Sequence, residues 1–186
     1  MVWAYVAGIL NPPVPNLLVD HPAFESRILP MAIKSMGLEG WLHWSVAEWE
    51  DAKSGHTWVD RYRRTMTTVF ENGLVNTGNG DGWLFYPPTR SAPKRTYISA
   101  PVISQRWEMI REGMEDVDAL ALLGSLVADA RTRDDVSEKT IRRAETLLSI
   151  PNEIAWGRSH WTRDLESFDA YRLRVLRAID ELSIPN

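Results

Sequence analysis

Three short apolar runs and four amphipathic ones organise the chain. Val2–Val6 (VWAYV) alternates small or branched residues with Trp3 and Tyr5 and predicts a strand. After Pro22, the spacing of Phe24, Ile28, Met31 and Met36 predicts a helix, with Pro30 expected to weaken or kink it and Gly37 to stop it. Gly40–Val46 (GWLHWSV) predicts a second aromatic strand, so that strand, helix and strand compose a βαβ unit. Glu48–Gly55 reads as a polar loop, Thr57–Glu71 as a short helix and Asn72–Gly82 as a Gly/Asn-rich connection. Trp83–Tyr86 predicts a third strand, closed by Pro87 and Pro88 and expected to lie parallel to the first two.

From Ser104 the period changes. Trp107, Ile110, Met114, Val117 and Ala121 recur at three and four residues and predict a long helix to about Ala130. Asp135 with Glu138 predicts a capping box for a helix running to Ile150, before Pro151. Thr162 and Asp164 are expected to open a last helix with Leu165, Phe168, Tyr171, Val175, Ile179 and Leu182 on its buried face. The fold class is therefore α/β, with a domain at 1–130 and a helical segment at 131–186.

Composition narrows the chemistry. A net charge of −4 without a basic cluster argues against nucleic acid, and no apolar run is long enough for a membrane span. The absence of Cys excludes disulfides and thiolate chemistry. No basic segment precedes an apolar run at the N-terminus, so no signal peptide is read there. No phosphate-binding Gly loop, HExxH or GxSxG occurs, and His21, His43, His56 and His160 lack ligand spacing. No metal, cofactor or catalytic residue is therefore assigned, and the compartment stays open. The acidic stretch Glu48, Glu50 and Asp51 offers a carboxylate pair, but an acidic loop of this kind is more often simply solvated.

Six of the nine Trp precede residue 100, where basic and acidic side chains balance at nine each. Sugar rings stack their C–H faces on Trp and Tyr, while their hydroxyls need fixed polar partners. Trp3, Tyr5, Trp44, Trp49 and Tyr86, with Asp81 and Arg106, supply both kinds of group. The same aromatics are equally candidates for core packing. Asp81 and Arg106 are equally a link tying the last strand to its following helix.

The segments VWAYV, PNLLVDHPAFESRILPMAIKSMGLEGWLHWSVAEW, GDGWLFYPP and PVISQRWEMIREGMEDVDALALL together resemble the catalytic domain of glycoside hydrolase family 123, also called domain of unknown function 4091. The matching positions are Trp3 and Tyr5, Arg27, Gly40 to Trp44, Trp49, Gly80 and Asp81, Tyr86 and Pro87, Arg106, Arg111, Gly113 and Asp116. The chain departs from the pattern at Pro88, where Gly is usual, at Ala47, where Asn is common, and in a long polar insert between Trp49 and Gly80. The resemblance implies part of a (β/α)8-type barrel, about three strands of its C-terminal third, followed by a helical extension. It also implies a retaining, substrate-assisted N-acetyl-β-galactosaminidase acting on glycans with an N-acetylated hexosamine. The family's adjacent Asp–Glu pair has no counterpart in a matching strand context. The chain is thus expected to be a truncated form, inactive alone and marginally stable, with its aromatics on the sugar-facing rim. A sugar-binding module without catalysis and a helical interaction module remain open beside it.

Overall fold

In a computed structural model, residues 1–7, 12–48, 66–69, 75–86 and 101–183 are described. Strand β1 (Trp3–Val6), helix α1 (Ala23–Ser35) and strand β2 (Gly40–His43) form the expected unit, with β1 and β2 parallel. The register sets Trp3 beside Gly40, Tyr5 beside Leu42 and Val6 beside His43. One face of the pair packs on α1: Val6, Ala4 and Trp41 join Leu29 and Ile33, with Leu17, Leu84 and Ile110. The other face presents Trp3, Tyr5 and Leu42, each about half exposed. Pro30 does not interrupt α1, whose residues Ile28–Ile33 are all buried.

The third strand departs from expectation. Trp83 forms an antiparallel bridge with Ala47, and β5 (Phe85–Tyr86) pairs antiparallel with β6 (Val102–Ile103). The reason lies just upstream, where a tight turn closes with the Trp83 amide donating to the Gly80 carbonyl at 3.0 Å and sends Trp83 into the interior. A four-residue apolar run carries no information on strand direction. The expected helix at Thr57–Glu71 is also corrected where it is described, because Met66–Val69 is strand β3, paired antiparallel with β4 (Val75–Gly78). The consecutive β-branched residues Thr67, Thr68 and Val69 favour extended backbone over helix. The remainder of that expected helix, at 57–65 and 70–71, lies outside the described residues.

Helix α2 (Gln105–Ala130) starts at Ser104, whose hydroxyl accepts the Trp107 amide. Its buried stripe is rotated from the expected one. Arg106, Ile110, Gly113, Asp116, Leu120, Leu123, Val127 and Ala130 face inward, while Met114 and Ala121 are exposed. Gly113 takes an inward position because α1 crosses there: a Cβ would run into the Arg27 carbonyl. Asp116 takes one because two arginines meet it, Arg27 Nε at 3.0 Å and Arg172 Nε at 2.6 Å.

Helix α3 (Glu138–Leu148) is capped by Ser137, which accepts the Thr140 amide at 3.1 Å. Asp135 is held by Arg133 instead of capping, and Glu138 pairs with Arg142. After the hairpin of β7 (Ala155–Trp156) and β8 (His160–Trp161), helix α4 (Leu165–Ser183) begins with Asp164 accepting the Glu166 amide. Phe168, Tyr171, Val175, Ala178 and Leu182 are its buried face; Leu165 is exposed, being in the first turn and beyond the edge of the core. These side chains share one core with Ile28 and Met31 of α1 and Leu120–Ala130 of α2. Among the described residues the architecture is thus mixed, with four helices and four two-stranded sheets. No described helix is long and apolar enough to cross a membrane.

Candidate functional site

Parallel strands joined by a helix bring their C-terminal ends to one edge, and loops arriving there can carry ligand groups. Here the ends of β1 and β2 meet the turn at Asn79–Gly82. Two carbonyls at the end of β1 are occupied: Val6 accepts from His43 Nδ1 at 2.7 Å and Ala7 from Asn16 Nδ2 at 3.1 Å. Asn16 is fully buried, and its own amide donates to Glu25, which His21 also contacts at 2.6 Å. This network ties residues 16–21, just ahead of α1, to the strand end.

The turn is anchored on both sides. Asn79 donates through its amide and its side chain to Asp20, at 3.0 and 2.7 Å, and the Val19 amide donates to the Asn79 carbonyl at 2.9 Å. Beneath it, the buried Arg106 guanidinium donates to the carbonyls of Leu17, Gly80 and Trp83. Gly80 and Gly82 have φ of 71° and 74°, which L side chains rarely adopt. A Cβ on Gly82 would also fall 2.6 Å from the Trp44 ring, so this indole lies directly on the turn. Asp81, between the glycines, is buried with Oδ1 3.7 Å from His43 Nε2. The Trp83 indole N–H donates to the Glu48 carbonyl and fastens the following segment.

The expected site residues divide accordingly. Trp44 and Asp81 sit on the same turn, and Arg106 supports it from below through Gly80 and Trp83. Tyr5 lies near the C-terminal end of β1 on its exposed face, whereas Trp3 lies at the opposite end, its ring over Gly40. Tyr86 is half-buried at the end of β5. Trp49 lies outside the described residues. His43 was passed over in the sequence because its spacing to the other histidines suggests no ligand set. The available signal was its place inside an aromatic strand, one residue before Trp44.

Other positions of the sequence pattern act at a distance from this edge. Arg27 and Asp116 tie α1 to α2, Gly113 lets the two helices approach, and Arg111 sits exposed among Glu108, Glu112 and Glu115. The acidic neighbours hold the Arg111 guanidinium above its ordinary value, the Glu108 hydrogen bond contributing most. An adjacent Asp–Glu pair does occur at Asp180 and Glu181, but both are exposed on α4 and Glu181 is engaged by Arg143.

No curated protein matches the chain. Residues 1–123 of the 186 match the family described as Glycoside hydrolase 123, catalytic domain, a span that takes in β1, α1, β2, the Gly80–Trp83 turn and most of α2. By that match the chain belongs to the glycoside hydrolase 123 family through its catalytic domain, a glycosidase domain whose substrates are carbohydrates.

Proposed function

We propose that residues 1–130 supply the sugar-contacting, C-terminal part of a (β/α)8-type barrel, with residues 131–186 as its helical extension. The glycan would carry an N-acetylated hexosamine, handled as in a retaining, substrate-assisted N-acetyl-β-galactosaminidase. The observation that carries this reading is the parallel β1–α1–β2 unit, inside the family match, whose C-terminal edge carries Trp44 and Asp81 on one glycine-flanked turn. An indole face and a carboxylate acceptor are the two groups a pyranose needs, one for its C–H face and one for a hydroxyl. The helix-free face of the sheet, with Trp3, Tyr5 and Leu42 exposed, supports the same reading, because interior-facing side chains of a barrel point away from its helices.

In the substrate-assisted route the 2-acetamido oxygen attacks the anomeric carbon. A carboxylic acid protonates the leaving oxygen while a neighbouring carboxylate orients the acetamide. The residues of this chain bind and orient: Trp44 stacks on the ring and Asp81 accepts a hydrogen bond from a hydroxyl, with Tyr5, Trp49 and Tyr86 as further walls and Trp3 farther from the edge. Arg106 acts through the turn rather than by touching sugar. With Asp180 and Glu181 on an exposed helix, no residue among the described ones is assigned the acid role, so the chain is expected to bind without hydrolysing. Titration with N-acetylgalactosamine, followed by Trp fluorescence, tests the first half, and release of nitrophenol from nitrophenyl N-acetyl-β-galactosaminide tests the second. Saturable binding with no nitrophenol release is expected. Absence of binding contradicts the site, and hydrolysis contradicts the missing acid.

A further inference from the structure

One imidazole at the strand-end edge is held by a carboxylate and has a second nitrogen to spare. His21 Nδ1 lies 2.6 Å from Glu25 Oε2, the same oxygen that accepts the Asn16 amide at 3.0 Å. A carboxylate oxygen accepts, so in the neutral ring Nδ1 carries the proton and Nε2 keeps its lone pair. Nε2 has no partner among the described residues. The Glu25 side chain is 7% exposed and the ring 13%, so the pair is sheltered without being sealed. The segment bearing His21 is fixed to the edge that carries Trp44 and Asp81. Asn16 donates to the Ala7 carbonyl just past β1, and Asp20, the residue before His21, takes both donors of Asn79 at the head of the Asp81 turn. A donor to Glu25 is all that holding this segment requires. The imidazole adds a second nitrogen, turned away from Glu25 and fixed in direction because the first is bonded.

We propose that His21 Nε2 accepts a hydrogen bond from a sugar hydroxyl beside the Trp44–Asp81 turn, with Glu25 as the positioning residue that fixes the ring, an inference that rests on the carbohydrate reading above. A pyranose carries neighbouring hydroxyls, each able to donate. Asp81 and His21 supply acceptors for two of them while Trp44 takes the C–H face. Two substitutions separate this role from a simple tie to α1. His21→Asn sets an amide nitrogen near the Nδ1 position, keeping a donor toward Glu25 and leaving nothing at Nε2. His21→Gln sets an amide oxygen near the Nε2 position, keeping an acceptor and giving up Glu25. The probe is N-acetylgalactosamine, followed by titration calorimetry beside thermal melting. In the wild type the imidazole ¹⁵N resonances of His21 are recorded with the Trp44 indole resonance.

The expected result is binding weakened about tenfold in His21→Asn with melting retained, and binding within about threefold of wild type in His21→Gln despite earlier melting. A lone-pair nitrogen that accepts a new hydrogen bond changes its ¹⁵N shift, so the wild-type Nε2 resonance is expected to move with the same midpoint as Trp44. Should His21→Asn melt early, that wild-type resonance decides alone. Wild-type affinity in a normally melting His21→Asn overturns the proposal, as does an Nε2 resonance that stays in place while Trp44 responds. Either result leaves the carbohydrate reading standing. If neither Trp44 nor His21 responds and calorimetry shows no binding, the carbohydrate reading falls and takes this contact with it.

Discussion

Replacing Asp116 by Asn removes one charge at the point where three helices are fastened. The carboxylate is 3% exposed and takes Arg27 Nε at 3.0 Å from α1 and Arg172 Nε at 2.6 Å from α4. The partners are not equivalent, since Arg27 is 16% exposed and Arg172 39%. Without Asp116, the acid within ion-pair distance of Arg27 among the described residues is Asp169, whose Oδ1 is 3.9 Å away and largely exposed. Breaking a buried pair from one side costs ~3–5 kcal/mol, whereas an exposed partner is worth ~0–1 kcal/mol. Asn keeps one oxygen as a neutral acceptor, so the expected loss is ~2–3 kcal/mol for Asp116→Asn, near the low end of the buried range. For Arg172→Ala it is ~0.5–1 kcal/mol. Arg27→Ala falls between or above, as it also removes the guanidinium from over the Phe168 ring, 5.0 Å from its centroid. At ~2–4 °C per kcal/mol for a chain of this size, Asp116→Asn lowers the melting temperature by ~4–12 °C. Urea and thermal unfolding of the three variants measure the order. If Asp116→Asn unfolds within ~0.5 kcal/mol of wild type, or less readily than Arg172→Ala does, the α1–α2–α4 fastening is not what burial implies.

Gly113→Ala is expected to destabilise by ~1–3 kcal/mol in urea unfolding, because overpacking against the Arg27 carbonyl outweighs the ~1 kcal/mol helix-propensity gain; a stabilised variant would show that α1 can move aside. Gly82→Ala is expected to displace the Trp44 indole as well as strain the turn, read as a changed Trp fluorescence spectrum and weakened sugar binding together. Tyr171, buried and donating to the Leu147 carbonyl at 2.8 Å, is pushed up to about 12 by burial from 10.0. Its folded value exceeds the unfolded one, so the stability it contributes is complete below pH about 10 and is lost as pH rises through about 12. Urea midpoints across that interval should fall in wild type and fall less in Tyr171→Phe; equal slopes would contradict the assignment.

The four helices α1–α4 were legible in the sequence because their period survives over many residues, and Pro22 and Ser104 mark the starts of α1 and α2 within a residue, whereas the short helix read at Thr57–Glu71 had no such period. The buried face of α2 was not legible, because its stripe includes Arg106, Gly113 and Asp116, which a search for apolar spacing skips. Each is inward for a reason that lies elsewhere in the chain: carbonyls at Leu17, Gly80 and Trp83, the Arg27 backbone, and the Arg27 and Arg172 guanidinia. The parallel pairing of β1 and β2 followed from the helix between them, whereas Trp83–Tyr86 offered nothing to reveal that a glycine turn reverses it. For the site, aromatic content pointed to Trp44, and the resemblance at Gly80 and Asp81 pointed to Asp81. His43 carried only the signal of its place one residue before Trp44, and the register then set it beside Val6.

The central claim, that the Trp44–Asp81 edge binds a sugar ring, is tested most directly by the indole ¹⁵N–¹H resonances. Nine are available, one per Trp, and Trp44→Phe identifies the one that matters. Added N-acetylgalactosamine is expected to shift the Trp44 resonance saturably, and Asp81→Asn is expected to abolish that shift while the Trp156 and Trp161 resonances stay fixed. A Trp44 resonance that ignores the sugar, or a response confined to Trp156 and Trp161, would contradict the account.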